Sequence, residues 1–93
     1  METKIWKFEL LLLFSKRQSI LIPHQAEILS VQVQNQKLCI WARVIPEAPK
    51  ATRTFTIFAT GQTIPRDFLG TFLETVQTND GALVWHVFET LNP

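Results

Sequence analysis

A chain of 93 residues fills one domain, since domains typically hold about 100–150 residues and one this short rarely splits. Its apolar fraction of 46% is enough for a core, but a domain of this size buries only about 60–65% of its unfolded surface, a thin margin that dimerisation would widen. Nine Lys and Arg against eight Asp and Glu leave a charge of +1. The sequence pI of 7.9 falls short of the value above about 9 usual for a nucleic-acid binder, and a mimic of the DNA backbone would need a strongly acidic surface instead.

At the front, "METKIWKFELLLLF" holds an apolar run that invites comparison with a signal peptide. Glu9 stands directly beside that run, Phe14 closes it after Leu10 to Leu13, and no small-residue cleavage site follows. No segment approaches the roughly 18 apolar residues of a membrane span. One cysteine, Cys39, makes no intramolecular disulfide, so folding does not require an oxidising compartment. These features predict a soluble, intracellular protein.

Turn signals fall at 15–19, 23–27, 35–36, 46–52, 61–67 and 78–81, and strand-forming residues fill the intervals. In chain order, "KIWKFELLLLF" and "SILIP" read as the first two strands. "EILSVQVQNQKLCIWARVI" reads as a hairpin about Asn35-Gln36. Its alternation pairs Val33 with Leu38, Val31 with Ile40 and Leu29 with Ala42 on an apolar face, leaving Gln32, Gln34, Lys37, Cys39, Trp41 and Arg43 on the other. Asn tolerates the positive φ of such a turn, and Gln36 suits it less well than glycine.

"RTFTIFATG" (53–61) reads as a further strand, and "TIPRDFLG" as a site for one helical turn with Thr63 near a cap and Pro65 in its first turn. "FLETVQTNDGALVWHVFE" is a second hairpin turning at Asn79-Asp80-Gly81. Both faces of its second arm are apolar, which marks a central strand or one covered by a partner. The expected fold is all-β: a small antiparallel sandwich or barrel of about six to seven short strands built from hairpins, with at most one short helical turn, residues 1–93 forming a single globular domain.

Catalytic and metal chemistry finds little support in the spacing. His24, Cys39 and His86 are isolated from one another, whereas zinc ligands come in close pairs. Cys39 and His86 would have to meet across a sheet, with no oxyanion loop beside them, and the glycines at 61, 70 and 81 form no phosphate cradle. Cys39 reads as a small strand residue. No metal, cofactor or catalytic residue is therefore expected.

Trp41 and Arg43 project together from one strand face. Trp and Arg are enriched at interface hot spots and also stack nucleobases, although a tryptophan buried in a two-layer core fits the pattern as well. Lys16, Arg17, Lys50, Arg53 and Arg66 are scattered over turns as a solvated surface would have them, unless the fold brings those turns together.

"KLCIWARV", "RTFTIFATGQTI" and "GALVWHVFE", together with "TKIWKFEL" and "IPHQAEILSVQVQNQ", resemble segments of a family of short phage and prophage proteins with a domain of unknown function. The resemblance spans nearly the whole chain, but "LLLLFSKRQS" is more apolar than that family leads one to expect. It implies a protein made in the cytoplasm of an infected or lysogenic bacterium, and it brings no activity or catalytic residue with it. The expected role is a non-enzymatic accessory protein that binds a host protein, such as a component of antiviral defence. The expected surface includes Trp41, Arg43, Arg53, Gln62 and His86. A module sequestering a nucleotide signal and a single-strand nucleic-acid-binding barrel are the alternatives.

Overall fold

A computed structural model describes residues 1–13 and 16–91. Period-two patterning dominates, and it yields seven strands: β1 (Lys4–Leu10), β2 (Arg17–Pro23), β3 (Glu27–Gln34), β4 (Lys37–Val44), β5 (Lys50–Ala59), β6 (Gly70–Thr78) and β7 (Leu83–Thr90). No helix occurs among the described residues. The strands form two antiparallel sheets, a three-stranded one ordered β1-β4-β3 and a four-stranded one ordered β2-β5-β7-β6. Their facing sides enclose the core, as the alternation requires.

The main core joins Leu10, Val31, Leu38 and Ile40 of the smaller sheet to Phe55, Ile57, Val76, Trp85 and Val87 of the larger. A second cluster, Ile22, Ala26, Ala42 and Val44, closes the other end, flanked by Trp6 and Phe8. Leu38, Ile40, Ala42, Phe55, Ile57 and Val87 are fully buried, and each such side chain contributes roughly 1.5–3 kcal/mol, less for alanine. The chain changes sheet after β1, β2 and β4, so Gln18 can bridge the sheets: its amide accepts from the Leu11 N–H at 2.7 Å and donates to the Leu11 carbonyl at 2.6 Å.

The first hairpin has the expected two-residue turn, with Asn35 at φ 51° and Gln36 at φ 64°. Val33 pairs with Leu38 and Val31 with Ile40. The register expected beyond them is corrected: a bulge between Ile28 and Ser30 places Ile28, not Leu29, opposite Ala42. An extra residue in one strand reverses the alternation, and Leu29 is left exposed while Ile28 packs on the core.

Three further boundaries differ from expectation. β1 stops at Leu10, opposite the second residue of β4, so Leu11 to Leu13 leave the sheet. β5 starts at Lys50 inside the stretch read as a turn, because Pro23, Ile22 and Leu21 of β2 pair with Lys50, Ala51 and Thr52. "TIPRDFLG" forms a turn closed by Phe68 N–H to the Pro65 carbonyl at 3.0 Å rather than a helical turn. The turn signal at 15–19 begins at Ser15, outside the described residues, and Arg17 to Ser19 already belong to β2.

Candidate functional site

On β7, Trp85 and Val87 point into the core, so Val84, His86 and Phe88 lie on the outer face of the larger sheet. β5 contributes Thr56 and Phe58 to that face, opposite Phe88 and His86, and β6 contributes Phe72 and Thr75 opposite the same two residues. The connection 60–69 folds back over the sheet. Its Phe68 ring meets Phe58 edge-on at 5.1 Å and Phe88 at 5.6 Å, while Phe72 meets Phe88 at 5.5 Å and Phe58 meets Phe88 at 5.8 Å. Edge-to-face geometry adds about 0.5–1.5 kcal/mol per pair beyond area burial.

This cover explains why four consecutive β5 residues, Phe55 to Phe58, are buried on both faces. The cluster is not sealed: Phe72 is 53% exposed at the open side of the sheet. Leu69 and Leu91, linked by Leu91 N–H to the Leu69 carbonyl at 2.9 Å, are exposed at the same end of the β6–β7 pair.

His86 stands in this face between two hydroxyls, Nε2 2.7 Å from Thr60 Oγ1 and Nδ1 3.0 Å from Thr75 Oγ1. Each hydroxyl donates or accepts as required, so either imidazole tautomer fits. Cys39 lies on the outer face of the other sheet, paired with Glu9 and Gln32, so it does not meet His86 as an arrangement across one sheet would require. It is buried at 1% exposure, and its thiol donates to the Lys37 carbonyl at 3.6 Å.

The other four expected surface residues are dispersed. Trp41 sits half-buried in the middle of the outer face of the smaller sheet, between Lys7 and Ser30. Arg43 shares that face and pairs with Glu27 at 2.8 Å, both side chains being more than half exposed. Lys7 reaches Gln34 at 3.0 Å and Lys37 approaches Glu9 at 3.8 Å, which makes this face polar and cross-linked around Trp41.

Arg53 alternates with Phe55 and Ile57 and so points between the sheets. Its Nε and Nη2 donate to both Glu89 carboxylate oxygens at 2.6 and 2.7 Å, and Nη1 donates to the Ala26 carbonyl at 2.6 Å. The hydrogen bonds to Glu89 raise the guanidinium pKa above its ordinary value; burial works against this, and the Glu89 charge adds to it. Gln62 holds the start of the loop, its Oε1 accepting from the Ala59 N–H at 2.9 Å.

Sequence reasoning marked the β7 face as apolar but missed Phe58, Phe68 and Phe72. Their spacing gives no periodic signal across the turn at 61–69; the available clue is Gly70. A Cβ there would stand 2.7 Å from the Phe68 ring and 3.0 Å from the Glu89 carbonyl, so glycine is what lets Phe68 lie on the sheet.

A family model described as a domain of unknown function, DUF7352, matches residues 1–93. The chain belongs to this family. No curated protein and no solved structure matches it. Membership therefore agrees with the resemblance in naming a family without an assigned activity, and the phage setting belongs to the proposal that follows. No helix among the described residues is long and apolar enough to cross a membrane.

Proposed function

We propose that this chain is a non-catalytic, phage-encoded accessory protein that acts in the host cytoplasm by binding a host protein, with a component of antiviral defence as the class of target. The observation that carries the binding role is the Phe58–Phe68–Phe72–Phe88 cluster, which ends in a half-exposed Phe72 at the edge of the larger sheet. Exposed aromatic groups on a packed support are what protein interfaces use as anchors. A standard interface needs only about 800 Å² per partner, within reach of one face of so small a domain. The phage and defence setting draws its support from the sequence resemblance.

The outer face of the smaller sheet contributes less in this reading, since Arg43, Lys7 and Lys37 already have partners within the sheet. Single-strand binding ranks lower because a charge of +1 offers little attraction to phosphate.

Affinity capture from bacterial lysate with the folded chain as bait tests the proposal, with Phe72→Ser as the matched control. A host protein retained by the native chain, lost with Phe72→Ser and kept with Trp41→Ser is the expected result. Retention of no specific protein, or of one indifferent to Phe72, would refute the assignment of this surface.

A further inference from the structure

The larger sheet carries a second feature on the same outer face, toward β2. A recess of about 200 Å³ lies between the sheet and the connection 60–69, lined by Arg17, Thr56, Phe58, Thr63, Pro65, Asp67 and Phe68. Its floor is packed, Thr56 and Phe58 being 4% and 3% exposed. Its roof is fastened at both ends, by the Gln62–Ala59 bonds on one side and by Phe68 set edge-on against Phe58 and Phe88 on the other.

The floor carries one member of a hydroxyl pair. Thr56 and Thr90 hydroxyls lie 2.6 Å apart and both residues are buried. Two hydroxyls bring two protons, and only one can lie in the bond between them. Where Thr90 is the donor, the Thr56 proton is left to turn into the recess that Thr56 lines. An acceptor in the recess would receive that proton.

We propose that this recess binds a free α-amino acid with an apolar side chain. The Arg17 guanidinium and the Thr56 hydroxyl receive the carboxylate, Asp67 receives the ammonium, and Phe58, Phe68 and Pro65 take the side chain. Arg17 and Asp67 each hold another contact within the protein. Five guanidinium donors and about four carboxylate lone-pair sites leave room for a ligand as well. Size and charge both select against a nucleotide: the volume is below the roughly 300–1,000 Å³ of pockets for drug-sized ligands, and Asp67 would repel a phosphate. The site shares Phe58 and Phe68 with the aromatic cluster but not the exposed Phe72, so Phe72→Ser tests the protein-binding surface and Arg17→Met tests the recess.

The test is titration of the ¹⁵N-labelled full chain with L-leucine and L-phenylalanine, followed by amide chemical shifts. Saturable changes centred on Thr56, Phe58, Thr63 and Phe68 are expected. Leucinamide, which lacks the carboxylate, and 4-methylpentanoate, which lacks the ammonium, should each bind at least about tenfold more weakly. Arg17→Met should weaken L-leucine by a similar factor, and Thr63→Val, at the roof, supplies a second variant that leaves the sheet intact. A dispersed spectrum confirms that each variant is folded. The proposal is overturned by no saturable shift with either amino acid, by equal binding of the amide and deaminated analogues, or by shifts centred on another face.

Discussion

Arg53 and Glu89, thirty-six residues apart, form a two-pronged ion pair between the sheets, and the same guanidinium holds the Ala26 carbonyl just ahead of β3. One side chain thus ties β5, β7 and the entry to the opposing sheet, with the pair only 24% and 19% exposed. Removing one partner strands the other charge, which costs about 3–5 kcal/mol when burial is complete. With this much residual exposure, Arg53→Met should destabilise by about 2–4 kcal/mol in urea unfolding. Arg53→Lys should recover only part of the loss, because an ammonium cannot reproduce the planar fork. An Arg53→Met/Glu89→Leu double variant should lose less than the sum of the singles; simple additivity would show that the pair does not act as a unit.

Gln36 adopts φ 64° without being glycine. Left-handed backbone costs an ordinary L-residue about 1–2 kcal/mol, partly offset by the greater freedom glycine has when unfolded. Gln36→Gly should therefore stabilise by about 0.5–1 kcal/mol, a rise in Tm of roughly 2–8 °C for a domain of this size. A fall in Tm would mean that the Gln36 side chain makes a stabilising contribution larger than the backbone strain.

Gly70→Ala should act on the aromatic face from a distance. The added methyl meets the Phe68 ring at 2.7 Å and the Glu89 carbonyl at 3.0 Å. The ring must swing away or the β6–β7 pairing must shift, at a cost of about 1–3 kcal/mol. Amide exchange over 60–69 should rise; protection equal to that of the native chain would show that Phe68 does not hold the loop down.

His86→Phe should leave the fold in place. It removes two hydrogen bonds to Thr60 and Thr75 at a partly exposed position and adds a ring next to Phe58 and Phe88. These effects oppose one another, so the net change should stay within about 1 kcal/mol by thermal unfolding. Binding to a host partner should persist too. Loss of binding with stability intact would make His86 part of the contact surface.

Much of the architecture was legible because it depends on local chemistry. Period-two alternation in Val31, Val33, Leu38 and Ile40 identifies the inner face of the smaller sheet without knowledge of any neighbour. Asn35 and the Asn79-Asp80-Gly81 sequence mark real turns because those residues tolerate positive φ, which all of them show. The apolar character of both faces of β7 announced a central strand, and β7 lies between β5 and β6. Leu29 was misplaced because a bulge leaves no mark in an alternating pattern, while both Ile28 and Leu29 are equally apolar.

The candidate surfaces were legible only in part, since side-chain direction fixes a face but not what covers it. Arg53 read as a loop cation until the start of β5 was known, and then its parity with Phe55 turned it inward. Three of the other six phenylalanines gather around Phe88, Phe68 among them because one connection folds back across the sheet, a contact between residues distant in sequence. By itself the sequence determined the strands, most turns and which residues alternate, all consequences of backbone sterics and solvent partition along the chain. Only the tertiary structure decided which sheet each strand joins, that Arg53 meets Glu89, and that loop 60–69 encloses a recess. Those outcomes depend on pairing and packing between segments whose separation along the chain leaves no local signal.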